Sequence, residues 1–119
     1  MPDTPVIDLQ AIDVLRSLNP DDNGEFLKEI VGIFLEDTPQ RIAELDESLA
    51  ASDVAKFVRA AHSIKGSSAN LGAMVLRGAA ERLEHHSKQN GLSNTGPLIA
   101  DLKLEYERAA KEIRAIVNS

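Results

Sequence analysis

The stretch His62-Ser63-Ile64-Lys65-Gly66-Ser67-Ser68-Ala69-Asn70-Leu71-Gly72-Ala73 organises this chain, and it reads as the second half of a helix that begins near Ser52. At about 100° per residue, with His62 at zero, Phe57, Ala61, Ile64, Ser68 and Leu71 fall on the far side with Val54 at its edge, one buried stripe. His62 points the opposite way, among Ala55, Val58, Gly66 and Ala69, with Arg59 and Lys65 on either flank. The expected surface is an exposed imidazole on a smooth ground of small residues, between two cations.

A largely uncharged imidazole near neutral pH is a good nucleophile, since its unperturbed pKa is about 6.5. A phosphoryl group carried there would bring about two negative charges, which Lys65 and Arg59, one helical turn away, are placed to offset. Gly66 costs a helix about 1 kcal/mol relative to Ala, and its missing side chain opens the way to His62.

The pattern His62-x-x-Lys65-Gly66-Ser67-Ser68-x-x-Leu71-Gly72-Ala73 resembles the signature of histidine-containing phosphotransfer (HPt) domains, the relay modules of multistep phosphorelays. The likeness extends to Phe34-Leu35-Glu36-Asp37-Thr38-Pro39 with Ile42 and Leu45 before the motif, and to Ala80-Glu81-Arg82-Leu83-Glu84 after it. It implies that His62 is the phosphoacceptor, that Lys65 interacts with the phosphoryl group, and that Gly66 admits a docking receiver domain. It also implies that Ser67 and Ser68 let neighbouring helices pack closely, and that the module neither binds ATP nor acts as a kinase. The partners so implied are response-regulator receiver domains or a hybrid sensor histidine kinase.

With 119 residues, the chain is expected to form one domain, a bundle over residues 7–119 behind a loose lead-in, Met1 to Val6, with two prolines. Cysteine is absent, so no disulfide framework or thiolate site is available. A net charge of −6 and 3% aromatic residues argue against nucleic acid, which needs a basic face or stacking platforms. No run approaches the roughly 20 apolar residues that span a bilayer, so a cytoplasmic monomer without membrane attachment is expected.

Asp8 is placed to cap a short helix carrying Leu9, Ile12 and Leu15, a lid that ends before Asn19-Pro20. Asp21-Asp22-Asn23-Gly24 offers caps for a long helix with Phe26, Ile30, Ile33, Phe34, Ile42, Leu45 and Leu49 inward, kinked at Pro39. Ala50-Ala51-Ser52-Asp53 forms a short connection, and Gly72 suits a helix C-terminus. A further helix runs from Ala73 to about Gln89 with Val75, Leu76, Ala79, Ala80 and Leu83 inward, Gly78 marking close helix approach and Asn90-Gly91 a stop. Pro97 opens a last helix with Ile99, Leu102, Tyr106, Ala109, Ile113 and Ile116 along one seam. The expectation is an all-α protein, an antiparallel up-down four-helix bundle with a short additional N-terminal helix.

His85-His86 are adjacent and splay about 100° apart, so they read as solvated helix-end histidines rather than metal ligands. The acidic residues, scattered along helix faces, read as solvated surface with no cluster for Mg²⁺, so no cofactor is expected and any Mg²⁺ comes with the receiver domain. Of Arg77 and Arg82, at most one can extend the positive patch. No Gly-x-Ser-x-Gly elbow makes Ser67 or Ser68 a hydrolase nucleophile, and Asn70 suits a hydrogen bond near the helix end. Two other functions fit a helical chain with an exposed histidine: the dimerisation and phosphoacceptor domain of a sensor kinase, and an adaptor whose histidine is inert. The first usually carries an acidic residue where this chain has Ser63.

Overall fold

The computed structural model describes residues 5–19 and 21–118. Among the described residues five helices follow in order: α1 Leu9–Leu18, α2 Glu25–Ala51, α3 Val54–Asn70, α4 Met74–Asn90 and α5 Gly96–Val117. α3 packs most extensively against α4 and α2, and α5 closes the bundle against both α4 and α2. This is the expected four-helix bundle with a short leading helix. Among the described residues, no helix is long and apolar enough to cross a membrane.

Asp8 caps α1 by accepting the Gln10 N–H at 3.0 Å, and Ile12 is buried, with Leu15 partly buried against the core. Leu9, expected inward, is exposed, as are Val14 and Leu18; only one narrow face of this short helix meets the bundle. Val6, from the expected loose lead-in, and Ile7 already pack on the core, and Pro5 is exposed, whereas residues 1–4 of the lead-in and Pro20 lie outside the described residues.

The cap of α2 comes from Asp22, whose carboxylate accepts the N–H groups of Gly24 and Phe26, each at 2.9 Å. The helix then runs unbroken through Pro39 to Ala51. Its inward phase differs from the expected one over the first turns: Leu27 and Val31 are buried beside Phe34, while Ile33 is 57% exposed and Phe26 and Ile30 are only partly buried. Here the apolar residues spread over an arc of about 160°, wider than the face the core covers, so the choice within it falls to the neighbouring helices.

Only Ser52 and Asp53 connect α2 to α3. Ser52 adopts φ +55° and closes α2 through its N–H to the Leu49 and Ser48 carbonyls, and Asp53 caps α3 by accepting the Lys56 N–H. So short a link forces α3 back antiparallel along α2. Phe57, Ala61, Ile64, Ser68 and Leu71 form the expected buried stripe of α3, with Val54 exposed at its edge.

The α3–α4 turn depends on Gly72, at φ +71°. A Cβ there would stand 2.7 Å from Ala11 Cβ and 2.8 Å from the Asp8 carbonyl oxygen. The Gly72 carbonyl in turn accepts the Asp8 N–H at 2.7 Å, so α1 is fastened across the turn that holds α3 beside α4. Gly78 does not mark close helix approach, because a Cβ on it would meet only Arg82 Nη1 at 3.5 Å. Val75 is only partly buried, whereas Leu76, Ala79, Ala80 and Leu83 form the inner face of α4. Gly91 ends that helix at φ +66°, and the seam of α5 is buried as expected apart from a partly exposed Ile116.

Candidate functional site

α3 and α4 run side by side out of the Gly72 turn, which sets His62 on one opposite Glu84 on the other. The His62 side chain is 68% exposed, whereas that of Glu84 is only 6% exposed. His62 Nδ1 lies 2.8 Å from Glu84 Oε2, Lys65 Nζ lies 2.6 Å from Oε1, and Lys88 Nζ lies 3.2 Å from Oε2. One buried carboxylate thus gathers the imidazole and two ammonium groups.

Burial pushes the Glu84 carboxyl up, but hydrogen bonds from Lys65, His62 and Lys88, helped by the Lys65 charge, outweigh it and bring the pKa down to about 2. Glu84 is therefore an anion at neutral pH and can only accept hydrogen bonds. That assigns the His62 proton to Nδ1. In the neutral ring the lone pair is then on Nε2, the nitrogen that does not face Glu84, on a side chain that is largely exposed. A nucleophilic nitrogen is held in one tautomer by a side chain that does not itself block approach.

The expected site residues fall as follows. Lys65 is one turn from His62 but lies against Glu84, with its side chain 25% exposed. Its charge is therefore shared with a carboxylate rather than free. Arg59 is exposed on the other flank, in a shallow groove with Arg41, Glu44, Lys56 and Ser63. There Arg41 is held on α2 by Glu44 at 2.7 Å and Asp37 at 3.1 Å. Gly66 and Ala69 are exposed and Val58 is partly buried on the same face of α3, and a Cβ on Gly66 would have nothing within 4 Å. The ground around His62 is as open as its small residues suggested.

Glu84 corrects the reading of the acidic residues as solvated surface. It lies on the buried stripe Leu76, Ala80, Glu84 and Ser87, spaced four, four and three apart, and a carboxylate on such a stripe requires cationic partners. That spacing was the available signal for Glu84, and Lys88, four residues on, was the signal for its second cation. Arg77 and Arg82 pair instead with Glu81 and with Asp101 of α5. His86 Nε2 donates to the Ser93 carbonyl at 2.6 Å, so it fastens the loop after α4 instead of standing free in solvent, while His85 is exposed. Ser68, fully buried, satisfies its hydroxyl on the Ile64 carbonyl at 2.6 Å and leaves the helix surface low. Among the described residues, no three His, Cys, Asp or Glu side chains gather as metal ligands would.

Residues 29–112, the bulk of the bundle with this site inside it, match the Hpt domain family. The chain belongs to that family. The Hpt fold extends beyond the matched residues: the structure superposes on histidine-containing phosphotransfer protein B of Pseudomonas aeruginosa PAO1 with a TM-score of 0.84, at 26% identity over 95% of each chain. Among curated proteins, it is 37% identical over 84 residues to multistep phosphorelay regulator 1 of Schizosaccharomyces pombe, covering 71% of this chain and 28% of that protein. It is 23% identical over 116 residues to the phosphorelay intermediate protein YPD1 of Candida albicans, covering 98% of this chain and 61% of that protein. The Hpt domain thus spans only part of the length of these curated relatives.

Proposed function

We propose that this Hpt domain is a phosphorelay intermediate in which His62 Nε2 accepts a phosphoryl group from a receiver-domain aspartate and hands it to another. The observation that carries the reading is the 2.8 Å contact of His62 Nδ1 with the buried Glu84, which leaves Nε2 as the free nucleophile on an exposed face. Family membership and relatives named for phosphorelays support it.

In this reading Nε2 displaces the aspartyl oxygen in line at phosphorus, and the chain supplies a nucleophile and nearby positive charge. Lys65, with Arg59 on the opposite flank, offsets the charge of the phosphoryl group. Val58, Arg59, Gly66 and Ala69 form the ground on which the receiver domain docks, Gly66 giving it close access. The receiver brings the Mg²⁺ and the acidic pocket. The module works as a cytoplasmic monomer, with receiver domains or a hybrid sensor kinase as partners and no kinase or ATPase activity of its own. The sequence has no Gly-x-x-x-x-Gly-Lys loop to cradle a nucleotide.

Intact-mass measurement after incubation with a phosphorylated receiver domain tests this. The wild type is expected to gain one acid-labile phosphoryl group and His62→Gln none. A folded wild type that gains none from several receivers would leave His62 as ordinary surface.

A further inference from the structure

Glu84 is an anion placed on Nδ1 of a ring whose other nitrogen, Nε2, takes the phosphoryl group, and this matters for the outgoing step as well as the incoming one. When the Nε2 lone pair forms the N–P bond, the P–O bond to the aspartate breaks and its electron pair stays on the aspartyl carboxylate. The ring is then a phosphoimidazolium, with one positive charge and its proton still on Nδ1. If that proton is lost, onward transfer must expel an imidazolate anion, a poor leaving group. If it is kept, the N–P electron pair returns to Nε2 and neutral imidazole leaves.

Building on the relay reading above, we propose that Glu84 holds the Nδ1 proton of His62 throughout the phosphorylated state, keeping the group transferable at pH values where an unassisted ring would lose it. The geometry is specific to a charge. The carboxylate is almost wholly buried, its Oε2 is in hydrogen-bond contact with Nδ1, and a buried carboxylate opposes a ring cation more strongly than an exposed one could.

The other charges facing His62 fit this role. From α3 come Lys65, on Glu84 Oε1, and Arg59, exposed on the opposite flank; from α4 comes Lys88, shared on Oε2. From α2, Arg41 and Glu44 border the Arg59 flank and are paired with each other. Before transfer, the two ammonium groups share Glu84 with the ring. A phosphoryl dianion on Nε2 offers them a second anion, which leaves the Glu84 charge more fully to Nδ1–H. Glu84 is therefore a positioning residue that acts through His62.

The test is the pH profile of onward transfer from phosphorylated protein to one receiver domain, wild type against Glu84→Gln. Because the receiver is shared, its own titration cancels in the ratio. The two proteins are expected to transfer within about threefold of each other at pH 6. At pH 8.5 the variant should be at least about tenfold slower, because a neutral amide does not hold the Nδ1 proton as the carboxylate does. A ratio that does not change with pH would overturn the proposal, since a purely structural role slows transfer equally at every pH. Should the variant fail to load or fold, ¹⁵N NMR of phosphorylated wild type decides alone: Nδ1 still protonated at pH 8 supports the proposal, and Nδ1 deprotonated by pH 7 overturns it. A wild type that never loads removes the relay reading and this inference together, whereas a loaded wild type with a deprotonated ring removes only the inference.

Discussion

The hydroxyl of Tyr106 on α5 donates at 3.4 Å to the carbonyl of Leu35 on α2, the carbonyl that Pro39, four residues on, has no N–H to serve. A proline in mid-helix normally breaks or bends the element. In this chain α2 continues through it, because a neighbouring helix supplies a replacement donor and the ring itself is exposed.

Two substitutions separate those effects. Tyr106→Phe keeps the aromatic packing on Phe34, whose ring centroid is 5.8 Å away, and removes only the donor, so a loss of about 1 kcal/mol is expected. Pro39→Ala restores the N–H to Leu35 and is expected to stabilise the bundle by about 1–3 kcal/mol and to make the Tyr106→Phe penalty smaller. Urea denaturation of the two single variants and the double variant would show this. Equal penalties in both backgrounds would mean that the Tyr106 hydroxyl does not serve the vacant carbonyl.

Acid should weaken the fold through Glu84. Its folded pKa of about 2 lies below the unfolded value of 4.5, so its contribution is complete above about pH 5 and disappears as pH falls toward 2. The shift corresponds to about 3 kcal/mol. Denaturant titrations between pH 2 and 7 are expected to show this loss in the wild type and a much flatter acid limb in Glu84→Gln. Parallel curves would mean that the Lys65 and Lys88 contacts add little.

How much of this was legible in the sequence depended on how far each signal reached. The α3 stripe of Phe57, Ala61, Ile64, Ser68 and Leu71 could be read because its bulkiest apolar residues occupy one face, opposite His62. In α2 Phe26, Leu27, Ile30, Val31, Ile33 and Phe34 spread over an arc of about 160°, wider than the face the core covers, and periodicity within one element cannot choose Leu27 and Val31 over Ile33. The pairing of His62 with Glu84 spans 22 positions and two helices, so no local pattern contains it. Only the burial of Glu84 was visible, as a carboxylate in register with Ala80 and Ser87. Gly78 and Gly72 were both seen as glycines, but positive φ and a crowded Cβ position belong to Gly72 alone.

Gly72 and Gly66 should accordingly respond in opposite ways to the same change. Gly72→Ala puts a Cβ at positive φ against Ala11 and the Asp8 carbonyl, and a loss of about 3 kcal/mol is expected, with α1 released from the turn. Gly66→Ala meets no atom within 4 Å and improves helix propensity, so a gain of up to about 1 kcal/mol is expected. Thermal melts followed by circular dichroism would read both, and hydrogen exchange over α1 would locate the first.

If Gly66 is open for a partner's sake, filling it should harm binding without harming the fold. Gly66→Arg places a long side chain one turn from His62, on the surface shared with Val58, Arg59 and Ala69, where its Cβ would meet no atom within 4 Å. Circular dichroism is expected to be unchanged and the affinity for a receiver domain at least about tenfold lower, measured by titration calorimetry. Lys65→Ala provides the contrast: it removes a cation from Glu84 but leaves that ground clear, so binding should fall less than phosphoryl transfer does. Undiminished binding by folded Gly66→Arg would move the docking surface off this face of α3, and His62 would then have to meet its partner from the α4 side, over Lys88.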